Sequence, residues 1–423
     1  MSDTSDADGV FDVAVVGAGP AGSAIARWLA LRGRRVALIE RTRFDVPRVG
    51  ESLAPAVQPL LRDLGLWKAF QALAPLPSFG TRSHWGEATP RVHSHVMNPW
   101  GSGWHVERLA FDRMLAESAR QAGATPFFGA AVAGCEESRK SEAGWRLTLR
   151  AATAGGDDRS PEHARAADRG HTMSARILVD ATGRSARLAS RLGAWRLPLD
   201  QLVAAAVRFD GVDVERETYV LVETTPDGWW YSAPIPGGGM IAMIMTDGDL
   251  CRRLRLNKAD AWSARLQTAP VTRARLAGTR PGGGPRVFSA VSHRLRRPVP
   301  DRSSPWLAVC DAALAVDPIS GSGVVRALRT ARAGADAVLA VLDTGSTAPI
   351  ARYETERDLE CGRYLEERAM YYALERRFPD QPFWARRDAA VSARREAGIR
   401  SRRFAALDRT ESAVLSRAKH PKC

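Results

Sequence analysis

No stretch of this 423-residue sequence approaches the roughly 18 to 20 consecutive apolar residues that a membrane span requires. Nor does the chain open like a secretory signal, which needs a basic start ahead of an apolar stretch; Met1–Gly9 is acidic and polar. The expectation is a short disordered lead-in to a cytoplasmic protein. Cysteine is scarce and scattered. Its five residues (Cys135, Cys251, Cys310, Cys361, Cys423) show no CxxC spacing, which argues against a disulfide framework or a cysteine-rich metal site. They are expected to be reduced and structural, and no metal is expected. Lysine is also scarce, standing only at 68, 140, 258, 419 and 422, so the net charge of +14 rests almost wholly on arginine. Such an excess can steer an acidic macromolecule. Arginine spread along a chain also reflects codon bias, however, and no nucleic-acid-binding motif accompanies it. An acidic partner stays open; nucleic acid is not expected, and oligomeric state is not legible.

What is present suits a globular chain of two or three domains, 45% hydrophobic and 26% charged. Val10–Val16 is a β-branched apolar run broken only by Asp12, as suits a buried parallel strand. It leads into Gly17-Ala18-Gly19-Pro20-Ala21-Gly22, a helix-compatible segment to Leu31, a glycine stop at Gly33 and a second strand, 36–39, ending at Glu40. In that order the pieces describe a dinucleotide site. The first glycine permits the tight turn, the second lets backbone approach a diphosphate, and the third lets helix and strand pack closely. The helix opened by Pro20 and Ala21 turns free N–H groups and a positive dipole end to the phosphates. Glu40, 21 residues after Gly19, is spaced to accept hydrogen bonds from ribose hydroxyls. The glycines alone do not separate FAD from NAD. The second strand, however, leads not into further βαβ units but into Arg48-Val49-Gly50-Glu51-Ser52-Leu53, a helix over 55–64 and β-like segments.

Further motifs follow in order: Trp104-His-Val-Glu-Arg108 leading to Phe111-Asp112, Val179-Asp-Ala-Thr-Gly-Arg184, Asp311-Ala-Ala, and Asp317-Pro-Ile-Ser-Gly-Ser-Gly323. With GAGPAG, Glu40-Arg41 and Arg48–Ser52, they make the sequence resemble the flavoprotein monooxygenases of the p-hydroxybenzoate hydroxylase fold, in the branch that contains flavin-dependent halogenases. The resemblance implies an α/β architecture: a Rossmann-like FAD-binding domain, a β-sheet substrate domain and a helical C-terminal region. It implies FAD as cofactor, with Arg41, Arg48, Ser52 and Arg108 in the blocks that hold it, the backbone of Val132 at the adenine and Asp311 at a ribityl hydroxyl. Pro318, Gly321, Ser322, Gly323 and Val324 would start a helix facing the flavin's pyrimidine edge, where reduced flavin carries negative charge. A plainer reading is compatible with this: Asp317-Pro318 is an N-cap followed by proline at the first helical position. Cys310 departs from the family, which usually has glycine there, and reads as a tolerated small residue.

The same resemblance bears on the chemistry. A flavin-dependent halogenase needs a lysine to position hypohalous acid, and Gly80 stands where that lysine would be. Lys68, the nearest, is expected to face solvent on the preceding helix, and arginine stays protonated and cannot form the same adduct. Halogenation is therefore disfavoured. What remains is oxygenation, in which reduced flavin and O₂ form a C4a-hydroperoxide whose distal OH passes to an electron-rich aromatic ring. No second nucleotide motif is visible, so reducing equivalents would come from NAD(P)H directly or from a separate flavin reductase. His84, Glu87 and His105 are candidate bases for rearomatisation, with structural hydrogen bonding as an equal alternative. Trp85, Trp230 and Tyr231 are candidate substrate-contacting walls, with sheet core as the alternative.

The FAD-binding segments are expected over 1–80, 105–190 and 290–345, the substrate domain over 81–104 and 191–289, and the helical region over 346–423, where tyrosines and tryptophan interleave with arginines. Residues 151–170 read as an exposed loop and 281–285 as a flexible connector. A narrower resemblance lies in Asn98–His105 and Arg108–Leu115, which look like monooxygenases that hydroxylate a tryptophan within a partner polypeptide during tryptophylquinone biogenesis. A protein or peptide substrate with an acidic surface would fit the basic chain. A small aromatic metabolite, halogenation, a non-catalytic flavoprotein chaperone and a geranylgeranyl-type reductase are the alternatives, the last without a long apolar tunnel pattern to support it.

Overall fold

A computed structural model describes residues 10–87, 89–138, 144–152, 171–214, 218–298 and 301–388. The expected lead-in, most of the 151–170 loop and the last part of the C-terminal region lie outside the described residues. The architecture is mixed α/β. The first sheet places Thr125–Phe128, Val36–Glu40, Val10–Val16 and His171–Asp180 side by side and parallel, with Trp306–Ala308 parallel beside the end of His171–Asp180. Trp145–Ala151 and Ala130–Glu137 extend it antiparallel. The apolar runs explain the layer. Val13, Val15, Leu38 and Val179 point to one face and Ala14, Ile39 and Leu178 to the other, so each strand is buried on both sides. Helices Pro20–Leu31, Arg108–Gln121 and Gly323–Thr344 cover the first face.

The second sheet has eight strands. Leu202–Asp210, Gly239–Asp247, Gly228–Ile235 and Tyr219–Thr225 run antiparallel; Gly80–His84 joins parallel to Tyr219–Thr225, and Arg91–Ser94 closes that edge. Alternation assigns its faces. Trp229, Ala233, Met243 and Met245 lie on one side. Trp230, Ala242 and Ile244 lie on the other, under helices Gly248–Arg253, Ala259–Leu266 and Pro270–Arg275. Two small three-stranded sheets bridge the layers: Ser52–Leu53, Gly103–His105 and Leu76–Ser78 form one, and Trp195–Pro198, His293–Arg296 and Leu314–Ala315 the other.

The helix Ala348–Ala373 follows Gly323–Thr344 and packs on it. Its continuation seats Phe383 and Trp384 in the core beneath the second sheet. Among the described residues, no helix is long and apolar enough to cross a membrane, and no group of His, Cys, Asp or Glu is arranged to hold a metal ion. One expected element differs. The helix expected from Pro318 instead begins at Gly323; Pro318–Ser320 is a short 3₁₀ turn, ended by Gly321 at φ 59°. A left-handed residue stops the turn before it can propagate.

Candidate functional site

The carboxyl ends of the parallel strands of a Rossmann sheet are where dinucleotides bind, and Gly17–Gly22 and Glu40 stand there. Gly17 (φ +103°) lies so close to the neighbouring strand end that a Cβ would come within 2.4 Å of the Ala181 carbonyl oxygen. A Cβ on Gly22 would fall 1.8 Å from the Gly17 carbonyl oxygen. Contacts within the protein therefore account for both of these glycines. Gly19 is different: a Cβ there would meet nothing within 4 Å, and the same holds for Gly321 and Gly323. These three face open space, as a cradle for a bound group requires. Glu40 is oriented by its neighbours. Its Oε2 accepts from the Ala18 amide at 2.9 Å, and its Oε1 accepts from the amide and hydroxyl of Thr42 at 3.0 and 2.8 Å.

Two arginines frame the next segment. Arg48 donates to the Asp112 carboxylate at 2.7 Å and lies 3.5 Å from Glu40. Arg108 opens its helix beside the N-cap Glu107, reaches Asp112 at 3.2 Å and donates to the carbonyls of Val49 and Gly50. Asp112, fully buried, thus anchors both. Arg41 is exposed, and Val132 sits on Ala130–Glu137, paired with Leu149.

On the third arm, Asp311 lies 3.5 Å from both Arg184 and Arg326. Cys310 adopts φ +50°, a conformation that favours glycine and that cysteine occupies here under strain. Burial pushes its thiol up to about 12, so it is not a reactive thiolate. Asp317 caps the turn that leads to Gly321–Val324. Its Oδ1 accepts from the Ile319 amide at 3.0 Å, and its Oδ2 accepts from the Tyr372 hydroxyl at 2.8 Å. The Asp317 amide donates to Tyr364 at 3.0 Å, and Trp229 of the second sheet donates to Tyr372 at 3.1 Å. The helix Ala348–Ala373 therefore ties this loop to the second sheet.

The candidate bases and walls separate in space. His105 is fully buried; Ser52 Oγ lies 2.9 Å from its Nδ1 and the Thr218 carbonyl oxygen 3.3 Å from its Nε2. The carbonyl can only accept, so Nε2 carries the proton and Nδ1 accepts from Ser52. Burial lowers the His105 pKa to about 4, and both ring nitrogens are engaged, which makes it a structural group. His84 is half-buried, its carbonyl accepting from the Thr224 hydroxyl at 3.1 Å. Glu87 is exposed and paired with Arg91 at the surface. Trp85 packs against Trp229, Tyr372 and Trp384 and donates to the Tyr371 carbonyl at 3.0 Å. Trp230, a candidate wall with sheet core as the alternative, is core, fully buried with its ring 4.9 Å from that of Trp262. Tyr231 points the other way, toward Ser52 and Glu51, where burial raises its hydroxyl pKa. Glu51 is a group the sequence reading used only as part of a motif. It is buried beside Arg108 and accepts from the Gly50 amide at 2.9 Å, and burial raises its pKa.

The family described as FAD binding domain matches residues 10–367. The chain belongs to it. FAD is its cofactor, and the open cradle at Gly19, Gly321 and Gly323 is where the residues present would hold one. The FAD-dependent oxidoreductase LodB of Marinomonas mediterranea is 28% identical over 90% of this chain and 97% of its own. The solved chondrochloren halogenase CndH aligns with a TM-score of 0.77 at 24% identity, covering 92% of this chain and 90% of that one. The peptidyl tryptophan dihydroxylase QhpG, essential for tryptophylquinone cofactor biogenesis, aligns with a TM-score of 0.66 at 25% identity, covering 90% of this chain and 79% of that one. The FAD-binding protein is thus a flavin-dependent oxidoreductase with the fold of flavin-dependent halogenases and monooxygenases, in a family whose members typically take electrons from NAD(P)H or a flavin reductase and use O₂.

Its buried histidines predict a pH response. His105 and His293 both have folded pKa values near 4, against an ordinary 6.5. Between those values the unfolded chain binds protons that the folded chain does not, so acid favours unfolding. Their contribution is complete above pH 6.5 and is lost as pH falls toward 4. Thermal melts should show a Tm that drops through this window, more shallowly in His105→Gln. An equal slope in the variant would remove His105 from the account.

Proposed function

We propose that this FAD-binding protein is a monooxygenase that hydroxylates an aromatic ring, and that the ring is a tryptophan of a partner polypeptide. Gly80 carries the choice of oxygenation over halogenation. It sits at φ +151° on the strand Gly80–His84, and a Cβ there would lie 2.1 Å from the His93 carbonyl oxygen. The position where the halogenase resemblance calls for lysine therefore has no room for any side chain. The two lysines among the described residues, Lys68 and Lys258, are both exposed. Bound FAD would activate O₂. The chain's part is to orient the ring, exclude water and hold protons in the buried group of Glu51, Ser52 and Tyr231. The polypeptide substrate is supported by the alignment with a peptidyl tryptophan dihydroxylase and by the net charge of +14.

Holoenzyme supplied with reductant, O₂ and chloride or bromide should add one or two oxygens, and no halogen, to a tryptophan-bearing peptide. Halogen in the product, or no oxygen on any indole offered, would overturn the reading.

A further inference from the structure

The second sheet ends at Arg91–Ser94, an edge strand with all four residues exposed. Its ladder shows which backbone groups are used. His95 N donates to the Phe79 carbonyl at 2.8 Å, and the antiparallel register pairs Thr81 with His93 and Ser83 with Arg91. Bonded and non-bonded pairs alternate along such a ladder, so Thr81–His93 and Ser83–Arg91 are the bonded ones. Val92 and Ser94 consequently direct their N–H and C=O groups outward, away from the sheet.

Soluble proteins usually blunt such an edge with charge, proline, a bulge or a cover. Here it is flanked by apolar side chains: Phe79 is 43% exposed, Val92 55%, Val96 80%, Met97 91% and Trp100 45%. At the other end of the strand, Arg91 lines a recess of about 220 Å³ with Trp85, Leu374 and Arg376. Trp85 packs on Tyr372, whose hydroxyl is bonded to Asp317 of the flavin loop. The recess is thus one aromatic ring away from that loop's anchor. The charge here is basic. Arg82, exposed and directly across from Val92, and Arg376, also exposed, stand on this surface, while Glu87 is paired with Arg91.

A row of outward backbone donors and acceptors at strand spacing matches another extended backbone and not a small molecule. We propose that Arg91–Ser94 docks the substrate polypeptide by strand addition. An extended acidic segment pairs with Val92 and Ser94, rests apolar side chains on Val96, Met97 and Trp100, and turns its carboxylates to Arg82 and Arg376. The inference rests on the reading that the substrate is a polypeptide.

Val92→Pro tests it selectively. The N–H that proline removes is the outward one, so the ladder to Gly80–His84 survives. Flavin content and Tm should match wild type. The probes are a short labelled peptide with tryptophan flanked by aspartates, its lysine counterpart, and free tryptophan. Binding is read by fluorescence anisotropy and oxygen gain by mass. The acidic peptide should bind wild-type holoenzyme, bind Val92→Pro about tenfold more weakly, as one lost backbone hydrogen bond allows, and lose its advantage over the lysine peptide in Arg82→Glu. Equal binding by Val92→Pro, or no binding of the acidic peptide by wild type, would overturn the proposal. So would a concentration-dependent dimer abolished by Val92→Pro without peptide binding, since the edge would then pair with a second copy. The two readings fail separately. Binding that depends on Val92 without oxygen gain keeps the docking strand and overturns the hydroxylase. Undiminished peptide oxygenation by Val92→Pro does the reverse.

Discussion

Gly22→Val should yield no folded, flavin-loaded protein, whereas Gly19→Val should fold and lose its flavin. The two glycines lie three residues apart in one turn and have different reasons to be glycine. At Gly22 the obstacle is protein backbone: a Cβ would sit 1.8 Å from the Gly17 carbonyl oxygen and 2.9 Å from the Ala181 Cβ. Neither neighbour can yield. Gly17 is held at φ +103° with its amide bonded to the Ile39 carbonyl at 2.7 Å, and the helix Pro20–Leu31 would have to lift off the strand Val10–Val16. Separating two fully buried surfaces costs on the order of 4 kcal/mol or more, a large share of a domain's stability. At Gly19 the backbone is extended (φ −72°, ψ −175°), which valine adopts readily, and nothing of the protein lies within 4 Å. The added methyls enter the space left for the diphosphate. FAD binding should weaken roughly a hundredfold, about 3 kcal/mol, while the melting temperature of the flavin-free protein stays near that of flavin-free wild type. Visible absorbance per chain and apoprotein melts separate the two outcomes. A Gly19→Val protein that purifies fully yellow would mean the diphosphate lies elsewhere.

The contrast between these glycines also marks what the sequence could reveal. The strand, turn, helix and second strand over residues 10–40 were legible because each signal is local: a β-branched run, a helix N-terminus, a glycine at the helix end. Asp317 and Tyr372 are 55 residues apart, and no spacing pattern announces their hydrogen bond. Only the packing of Ala348–Ala373 brings them together. Trp230 shows a different limit. Alternation puts it on the face opposite Trp229 and Tyr231. Which face is core, however, depends on the helix Ala259–Leu266, whose Trp262 covers it. His105 was legible as a candidate base, with structural hydrogen bonding as the alternative, but not as a neutral, fully engaged ring. Its state is fixed by Ser52, 53 residues away, and by the Thr218 carbonyl, 113 residues away. The helix start was misplaced at Pro318 because proline and an N-cap aspartate were present while the left-handed turn at Gly321 was not visible.

Asp112→Ala should be the most damaging change outside the glycine turn. The carboxylate is fully buried and faces two guanidinium groups, Arg48 at 2.7 Å and Arg108 at 3.2 Å. Those side chains are only 22% and 12% exposed, so water can replace the lost anion only in part. Removing one member of a buried ionic group costs about 3 to 5 kcal/mol, and since Arg48 keeps Glu40 at 3.5 Å, the loss here should fall at the lower end. Here two like charges remain facing each other. The segment between Thr42 and Ser52 should loosen with them, since Arg48 holds the Thr42 hydroxyl at 3.2 Å and Arg108 holds the Gly50 carbonyl at the same distance. Both stability and flavin content should therefore fall. Asp112→Asn keeps the shape and one acceptor oxygen, but it loses the charge and turns an NH2 donor toward the other guanidinium; it should still lose less than the alanine variant. The decisive comparison is the double variant Arg48→Ala, Asp112→Ala. If uncompensated charge is the cause, removing one cation recovers part of the stability lost in Asp112→Ala, and the two changes are strongly non-additive. If the losses simply add, Asp112 acts through packing alone and the two arginines are held by their carbonyl and hydroxyl partners.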